Sequence, residues 1–187
     1  MTPAEQHAQD AGRFAALTEK ASAEDWARPS PVSAWTARDV VGHLVEWLPG
    51  FISRADVALT PVAVADDPAA AWRQRAEEVQ SVLEERSDVV YSSPMFGDMP
   101  LGSAIDQFYT NDVWMHSWDL ARALGVDFDL GAERSAETLT AMRPMDELLR
   151  SSGQFGPQVP VADDAPAQDR LVAFIGRDPS WTASTGS

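Results

Sequence analysis

The sequence predicts an all-α protein: an antiparallel bundle of four principal helices, with one long crossover loop and a short additional C-terminal helix. Three observations predict it. Apolar residues recur at helical spacing along most of the chain, capping residues and Pro/Gly stops bound those runs, and only one stretch has strand-like and turn-like content. Helix following helix with one long bridge is the pattern of a bundle.

Taken in order, Thr2-Pro3 is a cap with proline at the first helical position, and Ala8, Ala11, Phe14, Ala15 and Leu17 then form an apolar stripe running to about Ala21. "SAEDWARPSPVSAW", with three serines and two prolines, is a connection that Trp26 and Trp35 pin to the core. Thr36 with Asp39 reads as a capping pair opening the second helix, where Val40, Val41, Leu44, Val45 and Leu48 share a face. Pro49-Gly50 ends or kinks it, and "FISRADVAL" resumes it. Asp67-Pro68 starts a third helix whose Trp72, Val79 and Leu83 face inward while its charges face water. "VVYSSPMFGDMPLG" reads as an ordered loop or short hairpin. A long fourth helix, capped by Ser103, runs to about Leu124 and stops at Gly125. A fifth covers roughly Ala132–Arg150, "GQFGPQVPVADDAP" crosses over, "AQDRLVAFIG" is the terminal helix, and residues 181–187 form a loose tail.

The chain's 187 residues fit a single domain, 1–187, able to bury a core. With 44% hydrophobic and 23% charged residues it falls in the soluble globular class. Cysteine is absent, which excludes disulfides, thiolate metal sites and a cysteine nucleophile; any thiol chemistry must take its thiol from a cosubstrate. A formal net charge of −15, with Lys20 the only lysine, argues against nucleic-acid or anionic-membrane partners. The opening "MTPAEQHAQD" lacks the basic and apolar regions of a secretory signal, and no apolar run approaches the ~20 residues of a membrane span. The expected setting is cytoplasmic.

On the fourth helix a wheel of about 100° per residue places Ile105, Phe108, Tyr109, Asp112, His116, Leu120 and Ala123 on one stripe. Asp112 and His116, at i and i+4, bring their heads to one face. A core carboxylate needs a partner, because burying it alone costs several kcal/mol. The pair alone fits two chemistries: an Asp–His hydrogen bond that fixes a core histidine, or two ligands of a divalent cation whose third ligand comes from another helix. Only His7 and His43 remain as histidines. His43 flanks the apolar stripe of the second helix and can point along a helix–helix seam, or simply sit at the core edge. His7, among polar neighbours, is expected to face solvent.

Three motifs add a resemblance. "EDWARPSPVSAWTARDVVGHLVEW", "DVWMHSWDLARALG" and "LVAFIGRDPSW" together resemble the DinB-like, mycothiol-dependent maleylpyruvate isomerase N-terminal family, over nearly the whole chain from about Phe14 to Trp181. More narrowly, they resemble its actinobacterial metal-binding subgroup. The resemblance implies a DinB-like four-helix bundle and a divalent metal, zinc or nickel, held by His43, Asp112 and His116. It also implies mycothiol or a related thiol as cosubstrate. The chain departs from the isomerase in carrying Asp112 where the isomerase has Glu. Its length leaves no room for the isomerase's second, C-terminal domain, so the isomerisation itself is not expected.

Three protein ligands leave a position open, the pattern of a catalytic rather than a structural zinc site. There a metal lowers the pKa of bound water to ~7 or binds a thiol as thiolate. The leading expectation is a thiol-dependent S-transferase acting on a small-molecule electrophile. The alternatives are a metal-dependent hydrolase needing no thiol, or a non-catalytic metal- or ligand-binding module. Glu46, one turn beyond His43, is a candidate base or a solvated helix charge. Asp119 either orients a ligand histidine or pairs with Arg38 or Arg122. Trp47 and Tyr109 either line a pocket above the metal or belong to the core, and the "FGDMPLG" loop is a candidate cover. Trp114 and Trp118 lie on the opposite face of the fourth helix, which must be covered there by another element or by the partner in a homodimer.

Overall fold

The computed structural model describes residues 1–93 and 97–183. Helix α1 (Pro3–Thr18) opens with a reciprocal capping box: the Glu5 N–H donates to the Thr2 hydroxyl, and the Thr2 N–H donates to the Glu5 carboxylate. It stops three residues short of Ala21. The connection after it includes a 3-10 turn, Asp25–Ala27, with Trp26 buried in the core. The Ser30 N–H then donates to the Trp35 carbonyl at 2.8 Å, and Ala34 takes a left-handed φ of 66° to close the loop. This turn delivers Trp35 immediately before the Thr36/Asp39 capping box of α2 (Ala37–Glu46). The helical path resumes through α3 (Leu48–Ile52) and a 3-10 turn, Ser53–Ala55, as expected past Pro49.

Helix α4 (Pro68–Glu85) is capped by Asp67, whose carboxylate accepts from the Ala70 N–H, and it buries Trp72, Val79 and Leu83. One of its charges does not face water. Arg75 is buried, because its guanidinium finds the Val45 and Thr60 carbonyls and the Glu78 carboxylate at 2.7–3.1 Å. Strands β1 (Val90–Ser93) and β2 (Gly97–Pro100) pair antiparallel, with Val90 opposite Pro100, so the strand-like stretch is a hairpin. Its tip, 94–96, lies outside the described residues; so, at Phe96, does part of the loop expected to cover a pocket.

The long fourth helix starts earlier and is less regular than expected. It consists of α5 (Leu101–Ala104), a π-helical turn (Ile105–Thr110) and α6 (Asn111–Leu124), and Ser103 sits inside it rather than capping it. In the π turn the Asn111 N–H bonds the Asp106 carbonyl five residues back, which widens the helix just before Asp112. Gly125, with φ 72°, ends α6 as expected. The expected fifth helix is broken in two, α7 (Ala132–Met142) and α8 (Asp146–Ser151), by a 3-10 turn at Arg143–Met145, where Pro144 has no N–H to donate. Helix α9 (Ala167–Phe174) follows the crossover segment. The tail residues 184–187 lie outside the described residues, and 181–183 carry no regular structure.

The molecule is mostly helical. Helix α1 packs on α4 and α6, and α2 packs on the same two, so these four close a ring around one core that includes Phe14, Leu44, Trp72 and Tyr109. A second core joins Trp114, Met115 and Trp118 of α6 to Leu139 of α7 and to Leu171, Val172 and Phe174 of α9. The coverage expected over Trp114 and Trp118 is therefore supplied by the chain's own later helices. His7 corrects the expectation of solvent exposure: it is 1% exposed in the α1–α4 seam, with Nδ1 at 2.9 Å from the Gln80 side-chain oxygen. Among the described residues no helix is long and apolar enough to cross a membrane.

Candidate metal centre

Helices α2 and α6 pack against each other, and that contact brings His43 to Asp112 and His116. On α2 the fully buried Val40, Val41, Leu44 and Val45 fix the helix's inward face and leave His43 at its edge, with a 30% exposed side chain. On α6, Asp112 is 20% exposed and His116 only 6%. The three offer one ligand atom each, all within 4.8 Å of one another, and form a group able to hold a metal ion. His43 Nε2 lies 3.0 Å from Asp112 Oδ2, and His116 Nε2 lies 3.4 Å from Asp112 Oδ1. The imidazole centroids are 4.9 Å apart.

The surrounding groups orient the three. Trp47 donates its indole N–H to Asp112 Oδ2 at 3.1 Å. Asp119, 1% exposed, takes His116 Nδ1 at 2.8 Å and is gripped in turn by the Arg177 guanidinium at 3.0–3.3 Å. Asp119 thus orients a ligand-face histidine, and its arginine partner is Arg177 rather than Arg38 or Arg122; Arg122 pairs instead with Asp127 at 3.7 Å. Trp35 lies against both imidazoles, with ring centroids 5.0 Å from His43 and 5.8 Å from His116. Tyr109 is buried in the core, its ring centroid 5.7 Å from that of Trp47, and its hydroxyl has no hydrogen-bond partner among the described residues. Glu46 is exposed on α2 and is not among the groups bonded to the three.

Burial works to raise the pKa of Asp112, but the charge of His116, the hydrogen bond and charge of His43 and the Trp47 hydrogen bond outweigh it and hold the carboxyl below its ordinary value. Burial likewise works to raise Asp119, and Arg177 leads the groups that outweigh it. An ionised Asp119 only accepts, so its 2.8 Å bond to His116 Nδ1 takes a proton from that nitrogen. That leaves His116 Nε2 as the ring nitrogen turned toward Asp112 Oδ1, at 3.4 Å. The donor set of two imidazoles and a carboxylate fits a borderline divalent ion such as zinc.

A family model described as the mycothiol maleylpyruvate isomerase N-terminal domain matches residues 7–121. The chain belongs to that family. The matched span contains His43, Asp112, His116 and Asp119, while Arg177 lies beyond it. Two uncharacterized proteins of Mycobacterium tuberculosis, from strains CDC 1551 and ATCC 25618, are each 33% identical to the chain over 180 residues, covering 93% of this chain and 96% of the relative. No solved structure matches the chain significantly.

Two residues beyond the three polar groups and Asp119 shape the site. Trp35 packs on the core as expected and also lies against both imidazoles. The available signal was its place directly before the capping box of the helix that carries His43. Arg177 sits in the "GRDP" motif, to which no role was attached; its pairing 58 residues away leaves no periodic trace.

Proposed function

We propose that this member of the mycothiol maleylpyruvate isomerase N-terminal family is a DinB-like four-helix-bundle protein that holds zinc or nickel through His43, Asp112 and His116. We further propose that it works as a thiol-dependent S-transferase on a small electrophile, with a mycothiol-type cosubstrate. The observation that carries this reading is the convergence of two imidazoles and one carboxylate within 4.8 Å at the α2–α6 seam. The ring of α1, α4, α2 and α6 supports the bundle, and the family's link to mycothiol supports the thiol.

A divalent ion in this donor set would supply the Lewis acidity that lets a thiol ionise near neutral pH. The chain's residues do the rest. Trp47 holds one carboxylate oxygen of Asp112 through its indole N–H, and Asp119 keeps the His116 proton away from the ligand face. Trp35 walls off one side of the imidazoles, while partly exposed His43 and Asp112 mark the side from which a thiol and an electrophile approach. With no cysteine in the chain, the attacking sulfur comes from outside.

The test is consumption of a model electrophile by metal-loaded protein, with and without added low-molecular-weight thiol. The expected result is turnover that requires the thiol and is lost in His43→Ala and His116→Ala. Thiol-independent turnover would replace this reading with hydrolysis, and metal binding without turnover would replace it with a binding module.

A further inference from the structure

We propose that Arg177 is a positioning residue of the metal centre: by locking the Asp119 carboxylate it keeps the His116 proton on Nδ1 and leaves Nε2 free to ligate. The inference rests on the reading of His43, Asp112 and His116 as metal ligands.

The relay is buried along its length. His116, Asp119 and Arg177 are 5%, 1% and 8% exposed. Arg177 Nε and Nη2 both reach the Asp119 carboxylate, and Nη1 donates to the Ile175 carbonyl at 2.8 Å, so the planar guanidinium is held in one orientation. Asp119 Oδ2 is also the atom that takes the His116 Nδ1 proton. Remove the guanidinium, and the Asp119 carboxylate loses the partner that fixes its orientation, so it can turn away from His116 Nδ1. Turned away, it ceases to be the acceptor that selects one histidine tautomer. Carboxylates in this outer position commonly tune metal affinity by orienting the ligating ring.

The residues just before Arg177 show that the chain is built to place it. The Arg177 N–H bonds the Val172 carbonyl at 2.9 Å, across the end of α9. Gly176 has φ 90°, and a Cβ there would meet the Gly156 backbone at 2.9 Å, so only glycine fits this turn. Leu171, Val172 and Phe174 anchor α9 in the second core. Metal affinity is therefore tied to the seating of a C-terminal element that touches none of the three ligands.

The alternative is a buried ion pair that only holds α9 in place, and two measurements separate it from a positioning role. The first is the ring-nitrogen NMR spectrum of His116 in metal-free protein. The second is zinc affinity, measured by competition with a chromophoric chelator. Wild-type protein should show the Nδ1–H tautomer. Arg177→Gln should show a tautomer mixture and roughly 10- to 100-fold weaker zinc binding. Arg177→Lys, which keeps the charge and loses the fork, should fall between them, and it carries the comparison if Arg177→Gln does not fold. Leu139→Ala loosens the same second core without touching Asp119, and should lower Tm while leaving tautomer and affinity unchanged. Wild-type tautomer and affinity in Arg177→Gln, or equal weakening by Leu139→Ala, would overturn the proposal. Wild-type protein that takes up no zinc would remove the ligating role together with the metal reading, and the Nδ1–H assignment would still stand or fall on the nitrogen spectrum.

Discussion

Asp112 is the residue around which the site is organised, because each of its oxygens faces a different imidazole and one also accepts the Trp47 indole N–H. Trp47→Phe keeps the aromatic bulk and deletes that donor. It should weaken zinc binding several-fold, within the range of outer-position effects of up to about 100-fold, as read by chelator competition; unchanged affinity would show that Trp47 only packs. Tyr109 makes the opposite case. Burial pushes its phenol pKa up, and its hydroxyl has no partner among the described residues. Tyr109→Phe should therefore leave Tm unchanged or raise it slightly, and a clear drop would reveal a bound partner for the hydroxyl. At this scale the sequence made Asp112 and His116 legible through their i,i+4 spacing on an apolar face. It hid His7, whose neighbours Gln6, Gln9 and Asp10 are polar and whose burial depends on Gln80 in another helix.

Helix α6 is the element on which both halves of the molecule converge, with the Asp112/His116 face toward α2 and the Trp114/Trp118 face toward α7 and α9. Trp118 is 2% exposed, and Trp118→Ala should cost about 3–5 kcal/mol in denaturant unfolding, the range for emptying a large aromatic site. A loss below 1 kcal/mol would mean that the second core contributes little to the fold. Elements bounded by side-chain chemistry were legible: the Thr2-Pro3 cap, the Thr36/Asp39 capping pair, the Asp67-Pro68 start and the Gly125 stop occur where the residues place them. The π turn was not legible, because a backbone bond to the fifth rather than the fourth preceding carbonyl calls for no particular side chain. The break at Pro144 carried a visible signal in the proline itself, inside the expected fifth helix.

Across the whole molecule, the ring of helices sets up the site and the C-terminal helices hold one of its histidines through Asp119 and Arg177. A metal that binds only the folded chain must stabilise it, by about 2.7 kcal/mol at a free concentration 100 times its Kd. Zinc should therefore raise Tm by several degrees, chelator should reverse the rise, and His43→Ala should abolish it. Equal shifts in wild type and His43→Ala would point to nonspecific binding by an acidic surface of formal net charge −15. The mostly helical fold and the Asp112/His116 face could be read from periodicity and spacing, and His43 joined them through the family resemblance, whereas the Arg177 relay could not be read, because it exists only once α9 docks.

Whether His43, Asp112 and His116 hold a metal is read from the metal content of natively purified protein, measured by elemental analysis beside Asp112→Ala. A metal centre at the α2–α6 seam means about one zinc or nickel per chain in the wild type and loss of that metal in Asp112→Ala with helical content retained. Metal-free wild-type protein that also fails to take up added zinc, or an Asp112→Ala variant that keeps its metal, would contradict it and return Asp112 to a hydrogen-bonding role between two core-edge histidines.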